Sequence, residues 1–210
     1  MAVVVWWLVR QTLNIKPWVE QKQLTGAHGG HGLSLPPLKV GLGVFMAVAT
    51  SLFALSISAY LMRKEGVDWR PLALPMVLWF NTAMLVLASV LFQRACNAAG
   101  SGRIRGVRFG LLAGGGFTLV FLAGQLLAWR ELSAAGYYLT TNPANAFFYM
   151  LTALHGLHLL GGLWVWAKTA LKLQHGAALD EVRLNVELCA VYWHFLLVIW
   201  LVLFGLLLFT

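Results

Sequence analysis

Five apolar stretches, residues 39–63, 72–96, 106–130, 144–170 and 184–209, are each long enough to cross a hydrocarbon core, which takes about 20 helical residues. Lipid offers a bare backbone no hydrogen bonds, so a chain with five such stretches is confined to a polytopic helical fold. The joints between them, RKEGVDWRP, NAAGSGRIRG, LTTNP and QHGAALDEVR, are short and carry Gly, Pro, Asn or charge. Short joints make consecutive helices antiparallel neighbours. The expected fold class is therefore all-α, a five-helix transmembrane bundle over residues 39–210. Composition agrees, since 60% of the residues are hydrophobic and only 10% charged, far from soluble-domain usage.

Ahead of the bundle, MAVVVWWLV is too short to span and has no basic segment before it, which disfavours a cleaved signal peptide. Residues 1–24 are expected to lie in the membrane interface, with Trp6, Trp7 and Trp18 at headgroup level and Arg10, Lys16 and Lys22 toward water. The Gly/His/Pro-rich residues 25–38 then form a linker.

The formal net charge of +8 raises the question of nucleic acid. The cations instead sort by side of the membrane. Eleven of the 15 Lys and Arg fall on one side, in the N-terminal segment through Lys39, around the second joint (Arg94, Arg103, Arg105, Arg108) and around the fourth (Lys168, Lys172, Arg183). The other side has Arg63, Lys64, Arg70 and Arg130. This asymmetry predicts an N-terminus inside and a C-terminus outside. With no soluble basic domain, no nucleic-acid partner is expected. Cys96 and Cys189 fall on the inner side, where thiols stay reduced, so no disulfide is expected.

Small or polar residues recur at helical spacing within the spans, and without a hydrophobic drive between helices such stripes mark close contacts, either among these helices or with another protein. They are Ala47, Ser51, Ala54 and Ser58 in the first span, and Gly110, Gly114, Thr118 and Gln125 in the third. Asn81 and Thr82 in the second span are expected to bond other helices, because an unpaired amide in mid-membrane costs several kcal/mol, to order of magnitude. The fourth span carries LHGLHLLGG, which puts His155, His158 and Gly162 on one face, with Gly162 allowing a neighbour to approach. In the fifth, Glu187 and His194 share a face about 10 Å apart. A metal needs three or four converging ligands, and a haem needs histidines at matching depth. His155, His158, His194 and Glu187 meet neither requirement by position, so structural roles are expected and neither catalytic nor metal residues are assigned. A proton path or transporter needs intramembrane carboxylates, whereas Glu65, Asp68, Glu131, Asp180 and Glu181 all lie in joints.

The motifs resemble those of the cytochrome c oxidase subunit III family. NAFFYMLTALHGLHLLGGLWVWA resembles the family helix with an HGLHxxxG core (His155, Gly156, His158, Gly162). VELCAVYWHFLLVIWLVLFGLLLF resembles its last helix, with YWHF (Tyr192, Trp193, His194, Phe195) followed by V-x-W (Trp200). GLGVFMAVATSLFALSISAYL, FNTAMLVLASV and GLLAGGGFTLVFLAGQLLAW are similar to three further family helices, in order, over residues 39–209. The resemblance implies the five-helix bacterial form and a subunit without haem or copper of its own. These cofactors are expected in the partner subunits I and II of an oxygen-reducing, proton-pumping respiratory oxidase of the bacterial inner membrane, itself open to membership of a larger supercomplex. The subunit's implied work is assembly, phospholipid binding and sustained turnover. Quinol oxidases and nitric oxide reductases have equivalent subunits, and an independent transporter or haem-binding electron-transfer subunit are the weaker alternatives. Lys172 and Arg183 are candidate lipid-headgroup contacts, and Trp79, Trp129, Trp164 and Trp200 candidate chain contacts. Three positions depart from the family pattern: Ala49, Ala128 and Leu197 stand where acids are usual.

Overall fold

The structure, a computed structural model, describes residues 36–209, apart from residues 73 and 177 and the side chains of 179 and 180. The expected interfacial segment 1–24 lies outside the described residues, as does the linker up to residue 35. Five helices follow, α1 Pro37–Lys64, α2 Val77–Gly100, α3 Ile104–Ala134, α4 Pro143–Gln174 and α5 Leu179–Leu208. All five are long and apolar enough to cross a membrane. The protein is a multi-pass membrane protein. With 24 to 32 residues each, the helices measure about 36–48 Å at 1.5 Å per residue. They therefore overrun the hydrocarbon core into the headgroup layer at their ends.

The helix ends follow from local chemistry. Pro37 and Pro143 occupy first-turn positions, where the missing N–H is no loss. Pro37 and Leu38, placed in the linker by sequence reading, thus already belong to α1. Asn142 caps α4 by accepting a bond from the Ala144 N–H at 3.2 Å, and its amide also donates to the Arg70 carbonyl at 2.6 Å. One side chain so starts a helix and pins the first joint against the third. Gly102, Gly136 and Gly176 follow α2, α3 and α4 with φ of +70° to +85°, a left-handed turn that stops a helix without a Cβ penalty. In the first joint Arg63 donates to Asp68 at 2.8 Å, which holds that carboxyl below the usual range.

The tightest seam joins α2 and α3. A Cβ on Gly110 would lie 2.8 Å from Ala95 Cβ and 2.9 Å from the Leu91 carbonyl oxygen, and one on Gly106 would lie 2.9 Å from Ala98 Cβ. Glycine facing alanine brings two backbones within touch, so that dispersion and packing replace the absent hydrophobic drive. α5 packs against α2 and α4, while α1 touches the bundle mainly through α4 and α5. Polarity is distributed accordingly. Asn81, Ser89, Thr118, Gln125, Asn145, Thr152, His155 and Thr169 are buried, whereas Val44, Leu55, Leu119, Leu157 and Val198 face outward.

The α3 stripe is buried as expected, from Gly110 through Gly114 and Thr118 to Gln125. The α1 stripe is not. Ala47, Ser51, Ala54 and Ser58 are all exposed, and α1 instead meets the bundle through Ala49, Phe53 and Tyr60. The hydroxyl of Ser51 turns back to the Ala47 carbonyl at 3.0 Å and needs no neighbour. A serine satisfied within its own turn needs no contact with a neighbouring helix.

Candidate functional site

The residues picked out by sequence gather around α5. Its tryptophans work by one device. The Trp200 indole N–H donates to Thr82 Oγ1 at 2.9 Å, and that hydroxyl donates in turn to the Leu78 carbonyl at 2.8 Å. Trp193 repeats the arrangement on α3, with Thr118 Oγ1 at 2.9 Å and Gly114 O at 2.9 Å. Trp129 repeats it again on α4, through Thr152 at 3.1 Å and Phe148 O at 2.7 Å. A threonine hydroxyl accepts once and donates once, so each relay satisfies an indole donor without freeing a backbone group. Trp166 closes the α3–α4 seam by donating directly to the Leu111 carbonyl at 2.8 Å. Candidate chain contact Trp200 is wholly buried, which removes it from the lipid-facing set. Trp79 and Trp164 are exposed, at 58% and 66%, and Lys168 Nζ sits 4.9 Å over the Trp164 ring. Trp129 is half-buried, and Lys172 is exposed near the C-terminal end of α4.

The three membrane histidines have three different settings. His155 is wholly buried in an aromatic cage, with ring centroids of Trp200 at 5.3 Å, Phe121 at 5.8 Å and Phe53 at 6.5 Å. Neither ring nitrogen has a hydrogen-bond partner among the described residues. An uncompensated charge is very costly there, so the imidazole is neutral. His158 Nδ1 lies 2.8 Å from the Leu154 carbonyl. A carbonyl only accepts, so Nδ1 carries a proton. His194 Nδ1 pairs with Ser89 Oγ at 2.7 Å across the α2–α5 seam.

Depth is not what keeps these histidines apart, contrary to the expectation of poorly matched heights. Gly162 lies against Tyr192 and Trp193, and His155 lies against Trp200. With α4 and α5 antiparallel, this register puts His158 and His194 within about one turn of each other in height. They diverge in direction, His158 toward α1 and His194 toward α2. Among the described residues no three of His, Cys, Asp and Glu converge as metal ligands. A caged His155, a carbonyl-bonded His158 and a serine-bonded His194 do not fit a metal or a haem either.

The remaining predicted residues are structural in their contacts. Asn81 Nδ2 donates to Gln125 Oε1 at 3.4 Å in the buried α2–α3 seam, and the amide oxygen of Asn81 rests where a side chain on Gly124 would stand. Tyr192 donates to the His158 carbonyl at 3.0 Å and stacks on the half-buried Phe195. Glu187 ties α1 to α5, with Lys39 Nζ at 3.6 Å and Arg183 Nε at 3.5 Å. Gly156 meets only Leu122, at the edge of contact. Ala49 and Ala128 are 2% and 0% exposed, so two of the three departures from the acid pattern lie in dry interior. Leu197 packs half-buried against the core.

Beside His158 an apolar groove of about 590 Å³ runs between α1, α4 and α5, lined by Gly41, Phe45, His158, Gly161, Gly162 and Tyr192 among others. A Cβ on Gly162 would lie 2.7 Å from Tyr192 Cε1 and 3.2 Å from Trp193 Cη2. Gly162→Leu is therefore expected to lower the yield of assembled complex on native electrophoresis more than His158→Ala, because neither ring can retreat from a seam. Equal yields from the two variants contradict this.

The sequence profile of cytochrome c oxidase subunit III matches residues 7–209. The chain belongs to the cytochrome c oxidase subunit III family. It is 32% identical over 190 residues to the cytochrome c oxidase subunit 3 of Synechocystis sp., covering 85% of this chain and 77% of that one. To the same subunit of Thermostichus vulcanus it is 30% identical over 193 residues, covering 89% and 94%. A probable cytochrome c oxidase subunit 3 of Nocardia farcinica is 27% identical over 189 residues, covering 83% and 89%. As a subunit III chain it is part of a haem-copper oxidoreductase complex and associates with the catalytic oxidase subunits. Sequence reasoning missed Thr118 and Thr152 as partners of the tryptophans, and Ser89 as the partner of His194. The available signal was weak. Each is a small hydroxyl residue in a span, and such residues usually bond their own helix.

Proposed function

We propose that this subunit does no redox chemistry and serves as a packing and lipid-holding element of a respiratory terminal oxidase in the bacterial cytoplasmic membrane. Its N-terminus then faces the cytoplasm and its C-terminus the opposite side, as the Lys and Arg asymmetry favours. Residues 1–24 act as an interfacial anchor and 25–36 as a linker. Haem and copper reside in subunits I and II. The observation that carries this reading is the directional scatter of the three membrane histidines, each held by a different element and none arranged with a second ligand. A phospholipid chain fits the groove beside His158 in shape and polarity, with Lys39 and the Arg183–Glu187 pair within reach of a headgroup. Exposed Trp79 and Trp164 and half-buried Trp129 suit the interface.

The test is purification. Isolated chain is expected to be colourless and metal-free, and tagged chain extracted in mild detergent is expected to bring down a large haem-bearing subunit. Stoichiometric haem or copper in the isolated chain overturns the proposal.

A further inference from the structure

His194 is the one membrane histidine on the outer surface of the described bundle, exposed at the α2–α5 seam. Ser89, its partner, is 4% exposed and makes no other side-chain hydrogen bond. Were Ser89 the acceptor, its own hydroxyl proton would be buried without a partner, so Ser89 donates to Nδ1 and the His194 proton sits on Nε2. That N–H has no acceptor among the described residues. It lies seven residues, about 10 Å, deeper along α5 than Glu187 and its ion pairs. At that depth neither water nor a lipid ester is at hand, and a lone donor in hydrocarbon is unfavourable. One turn along α2 from Ser89, the exposed Gln93 amide gives the same surface a second polar group.

We propose that the outer face of the α2–α5 seam, centred on His194, is where a transmembrane helix of a catalytic oxidase subunit docks, and that this helix presents a carbonyl, amide or carboxylate oxygen to His194 Nε2. A second copy of this chain is a poor occupant. Across a two-fold contact it would set the same N–H donor against itself, with Nδ1 already engaged by Ser89. The flanking residues on α5, Val191, Val198 and Leu201, are exposed and apolar, as a helix interface in lipid requires. This inference rests on the proposed function above and adds the surface through which the subunit associates with its partner.

The experiment uses the whole oxidase expressed in its own membrane. A photoreactive phenylalanine analogue is placed at Val191 or Val198, and at Leu119 on α3 as an exposed control. Illumination is expected to join the chain to the haem-bearing subunit from Val191 and Val198. In a detergent titration, His194→Leu is expected to weaken retention on the tagged catalytic subunit about tenfold, and His194→Gln, which keeps a donor, by less. Cross-links to the haem-bearing subunit from Leu119 alone, homodimers from Val198, or unchanged retention of His194→Leu overturn the assignment while leaving association intact. If no haem-bearing subunit co-purifies at all, the proposed function itself fails. Should His194→Leu not accumulate in the membrane, the cross-linking arms still decide.

Discussion

Trp193→Ala is expected to destabilise the isolated bundle by about 3–5 kcal/mol, the range for truncating a large buried aromatic. Trp193 is 1% exposed and joins three helices at once. Its ring lies 4.3 Å from that of Phe92 on α2, its N–H donates to Thr118 on α3, and its edge fills the space over Gly162 on α4. Alanine removes the ring from all three neighbours, and packed helices in lipid have no water-driven collapse to refill the void. Trp193→Phe separates the two contributions, because it keeps most of the ring and loses the donor. Its expected cost is about 1 kcal/mol, the size of an interhelical hydrogen bond in a membrane. Reversible unfolding in bicelles, followed by steric trapping, measures both. Similar values for the two variants would show that the hydrogen bond, rather than the ring, holds the three helices.

Gly110→Val is expected to cost about 3 kcal/mol or more, the upper range for overpacking, and to leave little chain in the membrane. The valine Cβ would meet the Leu91 carbonyl oxygen at 2.9 Å and the Ala95 nitrogen at 3.0 Å, and backbone atoms cannot rotate aside as a side chain can. Relief requires α2 and α3 to separate along their most extensive contact. Gly116→Val supplies the control, since a Cβ there meets nothing within 4 Å and the residue faces outward on the same helix. The same unfolding assay, together with membrane levels by immunoblot, reads the pair. Equal behaviour of the two variants would mean that the seam yields and that the close approach is not required.

Much of the architecture was legible before any coordinates. Five apolar runs of spanning length, joined by short polar segments, leave a helical bundle as the only arrangement that satisfies the backbone in lipid. The HGLHLLGG and YWHF motifs carried the family, and the profile match and relatives agree. The glycines of α3 were legible as a contact face because three small residues in register have few other uses inside a membrane. On α1 the same argument allows a neighbour in this chain or in another protein, and the stripe does not face the other described helices. Ala47, Ser51, Ala54 and Ser58 have the same spacing, yet the large residues Phe53 and Tyr60 face the bundle instead. Helical spacing defines a face but not what lies opposite. The hydroxyls of Thr50, Ser51 and Ser56 bond their own helix, so they do not force that face inward.

The histidines show the same division. That His155, His158 and His194 lie within spans follows from counting residues along apolar runs, and so does the absence of a carboxylate within one turn of any of them on its own helix. His158 bonds the Leu154 carbonyl of its own helix, but the surroundings of all three imidazoles depend on how neighbouring helices are rotated and slid against one another. Only the packed bundle puts Ser89 beside His194, closes a cage of Phe53, Phe121 and Trp200 around His155, and turns His158 toward a groove. In a uniform apolar solvent hydropathy reports which segments are inside the membrane. It cannot report which face of each meets another helix, because lipid tails and leucine side chains are equally apolar. Sequence alone therefore determined the helices, their number and their family. The rotation of each helix, and with it every hydrogen bond between helices, was decided by tertiary packing of small residues and rings.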